Sequence, residues 1–362
     1  MFNIRKQLSK LYLSSVLGNI SLTGAWVAIL AARGFSLVEI GIAETVFHIT
    51  SIIFELPSGV MADVFGRKKM LTVSCIMQLL ASIAMIFSND LFMVCVSISL
   101  HALCYNFSSG TGDALAYDSM KLAGTEAGFE KYGSNQLMIY RICSGISTLC
   151  AGIALAIGYR LAYGSSIITC AVQLFVISSM QEVKAGASPQ NGTVLERIAD
   201  CAKESLSFLR KARKAMGLML CNSLVGALDI LLLFFLQAKL PERGIPKWAL
   251  GLALLLMETG GIVGSKLILK FPKARYKAVF AAAAGLVTAG LLAEHSASFI
   301  IMALGGFIAA TGDDALQVRT NAKLQKMFPS EQRATLTSVE SFSFSVIMIV
   351  LSPLAGFVFT YW

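Results

Sequence analysis

GVMADVFGRKK, residues 59–69, follows an apolar run long enough to cross a bilayer and ends in three consecutive cations. That pattern fits a hydrophobic helix leaving a membrane on the side that retains positive loops. Composition says the same of the whole chain. Of 362 residues, 56% are hydrophobic and 14% charged, with a mean hydropathy of +0.71. A soluble core of this length could not hide so much apolar surface, so an all-α polytopic membrane protein is expected.

The net charge of +9 lies in short clusters between apolar runs, without a long basic tract or an aromatic-basic motif. Nucleic acid is therefore excluded as a partner in favour of the bilayer surface. Eight cysteines, including Cys75, Cys95, Cys104, Cys150 and Cys170, fall mostly inside apolar runs without CxxC spacing. They read as small core residues, and no disulfide framework, metal or other cofactor is expected.

The basic start MFNIRKQLSKLYL looks like the opening of a signal peptide, but the run at 11–32 lasts a full crossing and lacks a clear small-residue cleavage site. It is taken as the first helix. Ten more runs follow, at 40–62, 70–87, 91–116, 137–157, 161–180, 215–236, 248–269, 278–292, 299–316 and 335–359, which makes eleven crossings. Arg5, Lys6 and Lys10 precede the first, Arg67, Lys68 and Lys69 follow the second, Lys121 and Lys131 the fourth, and Lys270, Lys273, Arg275 and Lys277 the eighth. Every second loop is basic, which places the N-terminus in the cytoplasm and Trp362 outside; Lys239, Arg243 and Lys247 are the exception.

The longest connection, 181–214, separates an N-terminal bundle of six helices at 1–180 from a C-terminal bundle at 215–362. After the turn-rich Ser188-Pro189-Gln190-Asn191-Gly192, Thr193 and Glu196 have capping-box spacing. Leu195, Ile198, Ala202, Leu206 and Leu209 share one helical face, with Arg197, Lys203, Arg210 and Lys211 on the rest. An amphipathic helix along the cytoplasmic surface is expected. Asn191-Gly192-Thr193 fits the glycosylation pattern, which a cytoplasmic placement would leave unmodified.

A short repeat supports two halves: Thr111-Gly112-Asp113-Ala114-Leu115 in the fourth run, and Thr311-Gly312-Asp313-Asp314-Ala315-Leu316 in the tenth. Parallel repeats about an axis along the membrane normal are an architecture of secondary transporters, with the substrate between the halves near the midplane.

The opening stretch, with Gly59, Asp63, Gly66, Arg67, Lys68 and Lys69 as G-x-x-x-D-x-x-G-R-K-K, closely resembles the signature between helices two and three of the major facilitator superfamily. Glu55-Leu56-Pro57-Ser58-Gly59, the segment from Gly110-Thr111 to Tyr117-Asp118-Ser119, and Phe328-Pro329-Ser330 with Arg333-Ala334-Thr335 look like stretches of bacterial members. The resemblance implies two pseudo-symmetric six-helix bundles, the second here lacking its last helix, that alternate between inward-open and outward-open states. It implies that Asp118 partners Arg67 in a charge relay with Asp63, a latch that holds the halves together in the outward-open state. Small Gly59 would let helices approach and Gly66 would permit a tight turn. Lys68 and Lys69 read as topology markers. Two departures stand out: Asn106 occupies the place where many proton-coupled members have Arg, and Gly145 to Gly152 lacks the proline of many drug antiporters.

Ionisable groups inside apolar runs need a reason, because one near the bilayer centre costs about 2.5 to 3.5 kcal/mol. Asp229 stands midway through the seventh run and Glu258 midway through the eighth; each could carry a proton, pair with a cationic substrate, or form a structural pair. Glu44 and His48 are one turn apart in the second run and could share a proton or simply pack together. Asn19 with Thr23 and Trp26 in the first run, and Asn222 in the seventh, suit cavity lining or interhelical bonding alike. With Asp113 and Asp313 of the repeat, these are the candidates for the proton and substrate pathway. Arg141 and Glu340 lie near the starts of the fifth and eleventh runs and could reach the interface.

The expected protein is a monomeric, multi-pass secondary transporter of the plasma (inner) membrane, which exports a small amphipathic molecule. Proton-coupled multidrug antiport is the finer form of that reading. A membrane-embedded enzyme is the alternative from another class, but neither HExxH nor GxSxG occurs, and His48, His101 and His295 lie on separate segments. A truncated family member without transport activity is the third.

Overall fold

The computed structural model describes residues 2–183, 193, 196, 198–200, 203, 213–325, 327 and 333–361. Among them there is no strand. In chain order the helices are α1 (Ile4–Asn19), α2 (Trp26–Ala32), α3 (Leu37–Phe65), α4 (Arg67–Phe87), α5 (Leu91–Ser108), α6 (Thr111–Leu122), α7 (Phe129–Leu149), α8 (Ala151–Ile157) and α9 (Tyr159–Ser178). After the connection come α10 (Arg213–Glu242), α11 (Lys247–Leu267), α12 (Tyr276–Ala293), α13 (Phe299–Gln325) and α14 (Arg333–Tyr361).

Among the described residues nine helical spans are long and apolar enough to cross a membrane, and ten if the bent pair α7 and α8, 45° apart, is one crossing. The first expected crossing, 11–32, is not a continuous helix: it divides into α1 and α2 around residues 20–25. The freed backbone finds side chains instead. Ser21 N donates to Ser147 Oγ of α7 at 2.9 Å, and Thr23 N donates to Ser21 Oγ at 2.9 Å. A broken helix at membrane depth is tolerable on that condition. The fourth run also breaks, at Gly110, whose φ of 67° is the left-handed conformation that stops α5 and starts α6.

The chain clusters into two compact units. The first comprises Met1–Gly24, Val46–Ser147 and Ile157–Lys203. Its core gathers Leu11, Leu115, Ala116, Met120, Tyr132, Cys170 and Ile177, with Tyr12 stacked on Tyr132 at 5.1 Å. Short polar side chains join α4 to α5: Ser74 Oγ donates to the Cys104 carbonyl and Ser97 Oγ to that of Ala81, each at 2.8 Å. Cys75, Cys143 and Cys170 are buried free thiols, whereas Cys95, Cys104 and Cys150, expected in the core as well, are half-buried.

The second unit comprises Ala25–Thr45, Thr148–Ala156 and Glu204–Trp362, so two short stretches from the first half of the sequence pack with the second half. Glycine makes this packing possible. A Cβ at Gly41 would overlap the Ser352 carbonyl, and one at Gly356 would overlap that of Leu37, so α3 and α14 grip each other reciprocally. The same reciprocity joins Gly152 to the Lys247 carbonyl and Gly251 to that of Leu149. Such close backbone approach is how membrane helices associate where no hydrophobic effect drives them together. Within the unit α13 is the hub: Gly260 and Gly264 of α11 lie on the carbonyls of Phe307 and Thr311, and Gly290 of α12 lies on Gly305.

Most of the connection at 181–214, with the apolar positions Leu195, Ala202, Leu206 and Leu209, lies outside the described residues, as do 328–330. Of the expected capping box, Thr193 N donates to Glu196 Oε2 at 2.7 Å and Glu196 N to Thr193 Oγ1 at 3.3 Å.

Candidate functional site

The first cluster of interest lies in the first unit, around the turn between α3 and α4. Gly66, with φ of 106°, is the residue that makes this turn, and a Cβ there would stand 2.6 Å from Glu182 Oε2. Arg67 therefore leaves the turn at the first position of α4. Its guanidinium pairs with Asp118 of α6, donates to the Ala114 carbonyl at 2.5 Å, and lies 3.8 Å from Asp63. The Asp118 side chain is 10% exposed and that of Asp63 52%, so the Arg67–Asp118 pair carries most of the interaction.

The neighbouring residues do more than the sequence suggested. Lys68 Nζ donates to the Ser178 and Met180 carbonyls, each at 2.7 Å, and so caps the end of α9. Glu182 accepts from the backbone N–H groups of Lys68 and Lys69 at 3.2 and 3.4 Å, which puts a carboxylate at the positive end of α4. Lys68 is thus a structural clamp, a part beyond the topology marker expected from the sequence. Nothing lies within 4 Å of where a Cβ at Gly59 would be, so no helix approaches it closely in this structure.

The second cluster is in the second unit, where α10, α11 and α13 meet. Gly226 of α10 leaves room for Asp313, whose Oδ1 would be 3.3 Å from a Cβ at that position. A Cβ at Gly261 of α11 would overlap the carboxylate of Asp314. Asp229 is within electrostatic range of both aspartates. Glu258, in contrast, accepts a hydrogen bond from Thr148 Oγ1 at 2.6 Å. The sequence reading named Asp229 and Asp313 separately and passed over Asp314. The signal was the doubled aspartate in the second copy of the repeat.

The remaining candidates are dispersed. Glu44 and His48 are buried on α3, at 9% and 5% exposure. Asn19 Nδ2 donates to the Ser15 carbonyl at 2.7 Å, a bond local to α1. Asn222 is buried on α10, and Asp113 is exposed on α6. Asn106 ties α5 to α3: its Nδ2 donates to the Ser51 carbonyl and its Oδ1 accepts from Ser51 Oγ, both at 2.8 Å. That reciprocal pair holds a side chain only 1% exposed. No group of three or more metal-ligating side chains with metal-site geometry occurs among the described residues.

Comparison with known proteins agrees with this architecture. The family model described as Major Facilitator Superfamily matches residues 11–353. A relative from Bacillus subtilis (strain 168), an uncharacterized MFS-type transporter YxaM, is 22% identical over 328 residues, covering 87% of this chain and 79% of its own length. Among solved structures, a mutant of the nucleoside transporter NupG superposes with a TM-score of 0.73 at 14% identity, covering 98% of this chain and 91% of that one. A D-xylose-proton symporter superposes with a TM-score of 0.68 at 11% identity, covering 97% and 89%.

Proposed function

Because the chain belongs to the major facilitator superfamily, a family of transporters and not of enzymes, we propose that it moves a small molecule across the plasma membrane by alternating access, in the direction of export. The observation that carries an ion-coupled mechanism is the set of carboxylates lodged within crossing helices of the second unit. Isolated charges at that depth are costly, and their retention marks an ion or substrate pathway. Aromatic groups of the first unit, where Phe47 lies near His101 and Tyr105, support an amphipathic solute. In this reading the sequence halves 1–180 and 215–362 are the two moving bundles, the N-terminus is cytoplasmic, and Arg67, Asp63 and Asp118 are part of the latch between states. Asn106, held by Ser51, is unsuited to a proton-relay role. Multidrug-proton antiport therefore draws no support from α5.

The test is reconstitution of the purified chain in proteoliposomes, with a panel of nucleosides, pentoses and amphipathic cations assayed by counterflow and under imposed ion gradients. Accumulation of one solute class against its gradient is expected, and Asp229→Asn should abolish accumulation while sparing counterflow. Absence of counterflow for every solute, with folded protein in the vesicles, would overturn transport. Uptake confined to the import direction would overturn export.

A further inference from the structure

The connection between α11 and α12, with the helix ends on either side of it, carries Lys266, Lys270, Lys273, Arg275 and Lys277, and between Glu258 and Glu294 the sequence has no acid to offset them. All five are exposed, and no ion pair among the described residues involves any of them. The basic turn between α3 and α4 is different. There Arg67 is spent on Asp118 and Lys68 on the carbonyls that end α9.

Cations that only mark topology need no fixed frame, but these have one. Arg319 of α13 donates from Nη2 to the Phe271 carbonyl at 2.6 Å and from Nη1 to that of Pro272 at 3.0 Å, and the Ala274 N–H donates back to Phe271 at 3.1 Å. Tyr276 Oη lies 3.1 Å from Thr320 Oγ1, and Lys323 stands over the Tyr276 ring at 4.9 Å. The connection is thus pinned to α13, and Lys323 adds a sixth cation at its edge.

Leu267, Leu269 and Phe271 stand exposed among these cations. Charge and hydrocarbon side by side fit a phospholipid, which joins a phosphate to acyl chains, whereas a water-soluble anion would use only the charge. The level agrees as well. Both α11 and α12 are long and apolar enough to cross a membrane, so the connection between them falls where a bilayer has its headgroups.

We propose that Lys270, Lys273, Arg275, Lys277 and Lys323 form a docking surface for the headgroup of an anionic phospholipid, with Leu269 and Phe271 against its acyl chains. This binding does not depend on whether the chain transports.

Delipidated full-length protein in detergent, titrated with phosphatidylglycerol or with phosphatidylcholine of the same acyl chains, tests it, with bound lipid counted by native mass spectrometry. Phosphatidylglycerol should bind about tenfold more tightly or better, and the preference should shrink as salt is raised. Lys270→Gln, Lys273→Gln, Arg275→Gln and Lys277→Gln combined should remove the preference. Removing as many exposed cations elsewhere, by Arg5→Gln, Lys6→Gln, Lys121→Gln and Lys131→Gln combined, should leave it intact. Arg319→Lys keeps the charge but cannot bridge both carbonyls, and should weaken phosphatidylglycerol binding several-fold. If the first combined variant is not recovered folded, Lys273→Gln with Arg275→Gln takes its place. Equal binding of the two lipids, an equal loss in the control variant, or an undiminished preference in the patch or Arg319 variants would overturn the proposal. Inorganic phosphate that displaced the lipid at matched concentration would also overturn it, in favour of a soluble anion.

Discussion

At 111–115 the Thr-Gly-Asp segment begins a helix, whereas at 311–316 its counterpart lies inside α13. In the first copy, Gly110 breaks the chain just ahead, Gly112 has nothing within 4 Å of a Cβ, and Asp113 is exposed. In the second copy, a Cβ at Gly312 would stand 3.0 Å from the Ala283 carbonyl of α12, Thr311 lies over Gly264, and Asp313 faces Gly226. The Gly-Asp pair of the repeat stands open in one place and is gripped in the other. The difference comes from the partner helices, which offer glycines to the second copy at 226, 260, 261 and 264. A repeat in sequence therefore marks corresponding positions without assigning them corresponding work.

The largest effect should come from filling the grip. Gly264→Leu forces a side chain into the Thr311 carbonyl and should abolish recovery of folded, monodisperse protein, while Gly112→Leu in open space should be recovered normally. Equal recovery of the two would break the comparison. Next is Arg67→Gln, which strips the first copy of its outside anchors at Ala114 and Asp118. A loss of about 2 to 3 kcal/mol is expected for a partly buried, hydrogen-bonded ion pair left with one charge. Lys68→Gln, which uncaps α9, should cost about 1 kcal/mol in the same detergent unfolding assay.

A threonine pair sharpens the contrast further. Thr311 Oγ1 donates across helices to the Gly260 carbonyl at 3.0 Å as well as to Phe307 at 2.8 Å, while among the described residues Thr111 Oγ1 reaches only Phe107, four residues back across the Gly110 break, at 2.9 Å. Thr311→Val should cost about 0.6 kcal/mol, the average for an interhelical bond in a membrane, and Thr111→Val less. Opposite in sign is Gly112→Ala, expected to stabilise by up to about 1 kcal/mol because glycine is a poor helix former and nothing opposes the methyl group. A destabilised Gly112→Ala would show that the first copy is gripped after all.

These contrasts also show how far the sequence could be read. Apolar run length located the crossings, because a bilayer demands runs of fixed length whatever their neighbours. It missed the division of the first run around 20–25, since that break is made tolerable by Ser147, far away in sequence. The turn at Gly66 was legible from a motif whose residues lie at fixed spacing, and the pairing of Arg67 with Asp118 from the family resemblance. The Glu182 and Lys68 contacts were not, because an acid or a lysine at a helix end looks the same whether it faces water or a neighbouring helix. Asp229 stood out as a charge in an apolar run; its company of Asp313 and Asp314 depends on side-chain direction, which the glycines at 226 and 261 reveal only once the helices are packed.

The reciprocal approach of Gly41 and Gly356, and of Gly152 and Gly251, to the backbones opposite them has a kinetic meaning. A seam of glycine against carbonyl has no rotamers to freeze when it shuts, whereas long side chains lose up to about 2 kcal/mol of conformational freedom each. Its cohesion comes from Cα–H···O contacts worth about 0.5 to 1 kcal/mol apiece, enough to hold and little enough to release. In the alternating-access cycle proposed above, a seam of this kind would close without a side-chain search, and bulk added at any of the four glycines is expected to slow turnover by holding it ajar.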